Sequence, residues 1–168
     1  LIHLGILIGI YAILTLSLYL SVGFTGVLNM GHIAFFGIGA YTSALLSTHG
    51  YPLWISLAGS IILGAIAGVV IALPTARLKG DYLALATLGF TFIMGSVARN
   101  WTSLTRGALG IPGIPKIIPK NADLLTVLVV VVVVCAVLLA LLLRSRTGKV
   151  FQAVRDDELA AQTIGKNT

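Results

Sequence analysis

Charge is scarce in these 168 residues. Only 10% are Asp, Glu, Lys or Arg, against roughly 25% in soluble domains. The five acids are Asp81, Asp123, Asp156, Asp157 and Glu158, and none falls inside a long apolar run. There is one cysteine, Cys135, so no intramolecular disulfide can form. No nucleophile–base set, metal-ligand spacing or phosphate-binding Lys-Ser/Thr loop is present, so the sequence gives no catalytic residue, no metal site and no cofactor. What remains is apolar: 58% hydrophobic residues and a mean hydropathy of +1.05. The net charge of +6 would suggest nucleic acid in a soluble domain. In a chain this apolar it reports orientation in a bilayer, with lipid as the partner and no nucleic acid. Leu1 already lies in an apolar run, with no Met and no basic leader, which reads as a piece of a longer chain and not as a signal peptide.

A spanning helix needs about 20 mostly apolar residues. The pattern predicts an all-α integral membrane protein, a polytopic helical bundle with membrane segments at 1–22, 31–47, 52–73, 82–98 and 124–143. Residues 23–41 interrupt it with five glycines, Asn29 and His32. Each glycine costs a helix interior about 1 kcal/mol against alanine, so the second membrane segment is expected to be broken at 23–30. Irregular backbone at membrane depth survives only where protein or a water-filled cavity covers it, and transporters use such interruptions to build substrate sites. Asn29, Gly31 and His32 are therefore candidates for the substrate path. Asn29 and His32 would share a face if the backbone between them were helical. The alternative is that they satisfy backbone groups freed by the break.

Ser56, Ser60, Gly64, Gly68 and Ala72 recur every four residues, a spacing that lets two helices approach closely in lipid. Residues 99–123 carry Arg106-Gly-Ala-Leu-Gly-Ile-Pro-Gly-Ile-Pro115, too rich in glycine and proline for a long helix, and read as an ordered loop. Residues 124–143 form an uncharged run whose valines would favour a strand in a soluble protein. Its length settles it as a helix in lipid. Counting sides, 77–81 and the tail after 143 hold seven of the eleven basic residues, and 99–123 holds four. The positive-inside rule places 144–168 in the cytoplasm and 99–123 outside. Within the tail, Val150, Val154, Ala161 and Ile164 recur at helical spacing beside the polar Arg155, Asp156, Asp157 and Glu158. Such a segment suits either the membrane surface or a groove on a soluble partner.

Four stretches carry a family resemblance: Leu28-Asn-Met-Gly-His-Ile-Ala-Phe-Phe-Gly-Ile-Gly-Ala-Tyr41, Leu78-Lys-Gly-Asp-Tyr-Leu-Ala-Leu-Ala-Thr-Leu-Gly-Phe90, Asn100-Trp-Thr-Ser-Leu-Thr-Arg-Gly-Ala-Leu-Gly-Ile-Pro-Gly-Ile-Pro115, and 148–165. In order and spacing the chain resembles permease subunits of branched-chain amino acid ABC importers, of the LivM-like type. The resemblance implies a permease in the cell (inner) membrane that passes branched-chain or other apolar amino acids inward. Its implied partners are a second homologous permease, two ATP-binding cassette subunits that hydrolyse the ATP, and a soluble substrate-binding protein. It also implies that the tail meets the ATPase. Ala160, Ala161 and Gly165 match the spacing of the family's Glu-Ala-Ala…Gly pattern, with Glu158 displaced one place by Leu159, and Arg155 belongs to the same coupling segment. A related permease for urea or short amides is the alternative. An ion-coupled secondary transporter fits less well, because no predicted span holds a carboxylate.

Overall fold

The computed structural model describes residues 2–24, 26, 28–78, 80–115, 118, 120–145, 148–149 and 155. Six α-helices account for most of them, and no strand occurs among the described residues. Among the described residues four helices are long and apolar enough to cross a bilayer: Ile2–Gly23, Leu53–Thr75, Asp81–Asn100 and Asn121–Arg144. The chain is an all-α, multi-pass membrane protein. It divides into two compact units, one of Leu1–Val27 with Ile118–Thr168 and one of Leu28–Ile117.

The first unit pairs α1 (Ile2–Leu18) with α6 (Asn121–Arg144). Both are apolar on all sides and bury no residue within the chain, as expected of helices meant for lipid or for further helices. They run parallel. Gly5 lies against Leu125, and four residues on Gly9 lies against Leu128. A Cβ at Gly9 would sit 2.7 Å from the Leu128 Cγ, so glycine is what lets the leucine seat there. At its end α1 widens into a π-helical segment, Tyr19–Phe24. The Tyr19 ring folds over Gly23, where a Cβ would come within 2.6 Å of the ring. Such π turns are rare and concentrate at functional places. α6 ends at Ser145, whose Oγ donates to the Leu142 carbonyl at 2.6 Å and accepts from the Gly148 N–H at 3.0 Å.

The second unit is built on a hairpin of α2 (His32–Thr48) and α3 (Leu53–Thr75). Gly50, at φ 83°, turns the chain, and Pro52 leads into α3 with extended geometry. The α3 small-residue stripe divides in two. Ser56 is fully buried with its Oγ 3.3 Å from the Ser47 Oγ, and the Ser60 Oγ lies 3.0 Å from the Gly39 carbonyl of α2. Gly64 and Gly68 have no neighbour within 4 Å of a Cβ position. α4 (Asp81–Asn100) follows Gly80, which caps it at φ 57°, and Asp81 is its first residue, where a negative charge suits the helix dipole. α4 packs on both hairpin helices, with Phe35 and Phe90 ring centroids 5.6 Å apart. Beyond it come a four-residue helix, α5 (Thr102–Thr105), and a 3-10 turn, Gly107–Leu109. Buried Thr105 ties this corner down, its Oγ1 reaching the Ala98 carbonyl at 2.6 Å.

Candidate functional site

The backbone at 28–31 is not helical, and α2 starts only at His32. Unpaired backbone groups in lipid are costly, and here three of the groups at Met30 and Gly31 are met by side chains. The Met30 N–H donates to Thr87 Oγ1 at 3.1 Å, and Thr91 Oγ1 donates to the Met30 carbonyl at 3.0 Å. The Gly31 N–H donates to Asn29 Oδ1 at 2.8 Å, a side chain folding back on its own backbone as asparagine does in turns. The Ala34 N–H then opens the helix by donating to the Gly31 carbonyl at 3.0 Å. Gly31 is buried, and a Cβ there would meet the Thr87 carbonyl at 3.3 Å and Asn29 Oδ1 at 3.0 Å. Gly31, Ala34, Ala84 and Thr87 are all buried small residues at this crossing. They bring the first turn of α2 close to α4.

These contacts give Asn29 and Gly31 definite structural work. The Asn29 side chain meets one backbone N–H at the break. His32 is the first residue of α2 and half-buried, and no hydrogen bond is found for its ring among the described residues. Because the backbone at Asn29 is not helical, the condition for the two side chains to share a helix face is not met.

From this break an apolar cavity of about 740 Å³ extends between α2, α3 and α4. Ile33, Ala34 and Thr91 line it near the break, Gly37 and Met94 along its length, and Trp101 at the α5 corner. A Cβ at Gly37 would meet nothing within 4 Å, so the glycine leaves open space where a side chain would stand. Asn29, Gly31 and His32 do not line the cavity; their neighbours Ile33 and Ala34 do. Sequence reasoning missed Thr87, Thr91 and Gly37. The hydroxyls lie 57 and 61 positions from their partner Met30, and no local pattern announces such a pairing.

In the tail, Arg155 is described and Glu158, Ala160, Ala161 and Gly165 lie outside the described residues. Arg155 Nη1 donates to the Gly23 carbonyl at 2.6 Å. Gly23 is in the π-helical end of α1, so the tail arginine reaches the last turn of the first membrane helix, 132 residues away in the chain. The parallel course of α1 and α6 makes this possible, since both helices end on the same side of the pair.

Comparison with known proteins agrees with the pattern of motifs. The family described as "Branched-chain amino acid transport system / permease component" matches residues 1–168. The high-affinity branched-chain amino acid transport system permease protein LivM of Escherichia coli (strain K12) is 33% identical over 186 aligned positions, covering 93% of this chain and 44% of the relative. The protein of the same name from Salmonella typhimurium (strain LT2) is also 33% identical, with the same coverage. The chain thus spans less than half the length of these relatives. No solved structure gives a significant match. Matched from end to end by one family and carrying a glycine-broken segment among apolar helices, the chain belongs to the branched-chain amino acid transport system permease component family.

Proposed function

We propose that this chain is part of the membrane-spanning subunit of an importer that passes branched-chain or other apolar amino acids into the cell, with the ATP hydrolysed on partner subunits. The observation that carries the reading is the cavity between α2, α3 and α4. Its volume of about 740 Å³ falls in the range of small-molecule sites, roughly 300–1,000 Å³. Its lining is mostly aliphatic and aromatic, with Thr42, Thr91, Arg99 and Thr105 as polar exceptions, and it suits a leucine, isoleucine or valine side chain. The break at 28–31 forms one end of this path, with Asn29, Gly31 and His32 shaping its entrance.

The tail, 144–168, is the cytoplasmic coupling segment. The segment holding Glu158, Ala160, Ala161 and Gly165 supplies the coupling to the ATPase that the family pattern implies, while Arg155 grips the Gly23 carbonyl and passes the motion to α1. Support comes from the basic cluster directly after α6, a mark of cytoplasmic loops, and from the parallel α1–α6 pair. In the assembled importer, a second permease subunit, two ATP-binding cassette subunits and a soluble binding protein complete the inner-membrane complex.

The test is uptake by the full-length permease reconstituted with these partners in liposomes. Radiolabelled leucine should accumulate only with ATP, and valine and isoleucine should compete while urea does not. Leucine entry that persists with an ATPase-dead partner, or competition by urea alone, would overturn the assignment.

A further inference from the structure

We propose that Thr87 and Thr91 are positioning residues that fasten the helix break to α4, so that residues 28–31 move with α4 and not as a free hinge. The inference deepens the transport reading above and rests on it for its functional consequence, though not for its geometry.

A glycine-rich interruption is ordinarily taken as the flexible point of a helix. Here the two hydroxyls stand one turn apart on α4 and bracket a single residue. Thr87 Oγ1 accepts the Met30 N–H at 3.1 Å, and Thr91 Oγ1 gives its proton to the Met30 carbonyl at 3.0 Å. The hydroxyl protons are consistently placed. Thr87 Oγ1 lies 3.0 Å from both the Leu83 and Ala84 carbonyls of its own helix, so its proton is engaged there and its lone pair is free for Met30. Thr91 Oγ1 is 3.3 Å from the Thr87 carbonyl, the longer of its two options. Thr87 is buried, which keeps water from replacing the bond. Gly31 adds steric contact, since a Cβ there would press at 3.3 Å on the Thr87 carbonyl. The compact unit containing α4 also begins at Leu28, immediately before this segment. Thr91 lines the cavity as well. A displacement of α4 would therefore carry both the break and the cavity wall with it.

The experiment is amide hydrogen exchange, resolved to Met30, on the reconstituted importer in lipid nanodiscs, paired with uptake measurements. Thr87→Val keeps the shape and removes the acceptor. It should speed exchange of the Met30 amide about tenfold, consistent with the loss of one buried hydrogen bond, and lower the maximal uptake rate more than it changes the apparent KM. Thr87→Ser, which keeps the oxygen, should restore both. Thr91→Val should lower uptake in the same way. If Thr87→Val does not assemble, Gly31→Ala is the second variant, because its Cβ presses on the same contact and should also speed exchange. Unchanged Met30 exchange in the assembled Thr87→Val protein would overturn the clamp. Faster exchange with wild-type uptake would overturn its role in transport. Because exchange is read without substrate, a failure of the amino acid assignment would leave this first arm intact.

Discussion

The two compact units hold their helices together by different means. In the first, α1 and α6 fit by shape: Gly5 and Gly9 receive Leu125 and Leu128 along a parallel seam. In the second, Gly59 likewise receives Leu46, but hydroxyl hydrogen bonds are added to the packing. Ser47 meets Ser56, Ser60 reaches the Gly39 carbonyl, and Thr87 and Thr91 bracket Met30. Lipid tails are as apolar as leucine, so association within a bilayer depends on close packing and on interhelical hydrogen bonds. Packing alone tolerates some sliding, whereas a hydrogen bond fixes register between two named atoms. The contrast places the register-setting contacts in the unit that contains the break and the cavity, where alignment matters most for a path.

This contrast can be broken at either seam. The largest effect is expected at the glycine one. Gly9→Leu would drive a side chain into the place held by Leu128 and should cost about 3 kcal/mol, the upper end of the usual range for overpacking. The full-length permease should show it as a clear drop in its unfolding midpoint in detergent. A midpoint equal to wild type would mean that α1 and α6 do not rely on this fit. A smaller effect is expected at the serine pair. A double-mutant cycle of Ser47→Ala and Ser56→Ala, read by the same unfolding, should give a coupling of about 0.6 kcal/mol, the average for hydrogen bonds between membrane helices. Strict additivity would reduce the pair to packing and weaken the contrast.

Much of the fold was legible in the sequence because it rests on local composition. Uncharged runs of twenty residues can be little else than membrane helices, and the valines of α6 yield to that constraint. The broken second segment followed from glycine density, and residues 26 and 28–31 are non-helical. The chain stays helical to Phe24 through a π-helical segment that no glycine count foretells. The Ser56–Ala72 stripe was readable as a packing seam, but which half finds a partner depends on where α2 ends, and that is a tertiary matter. The site was less legible. Asn29 stood out as a polar residue in an apolar setting, and its Oδ1 accepts the Gly31 N–H. Thr87 and Thr91 did not stand out, because threonine in a helix commonly bonds its own preceding turn, and both do so here as well. The cavity is assembled from three helices, and Gly37 matters in it only because of what surrounds it.

The most direct measurement is ATP-driven leucine uptake by the assembled importer carrying Gly37→Trp, beside a Gly37→Ala control. Gly37 faces open space in the cavity, so alanine should be tolerated and tryptophan should occupy the path. The account predicts near-normal uptake for Gly37→Ala and a loss of at least about tenfold for Gly37→Trp, about 1.4 kcal/mol on this scale, with the ATPase subunits still bound. Full leucine uptake through an assembled Gly37→Trp permease would contradict it, because the solute would then be crossing somewhere else.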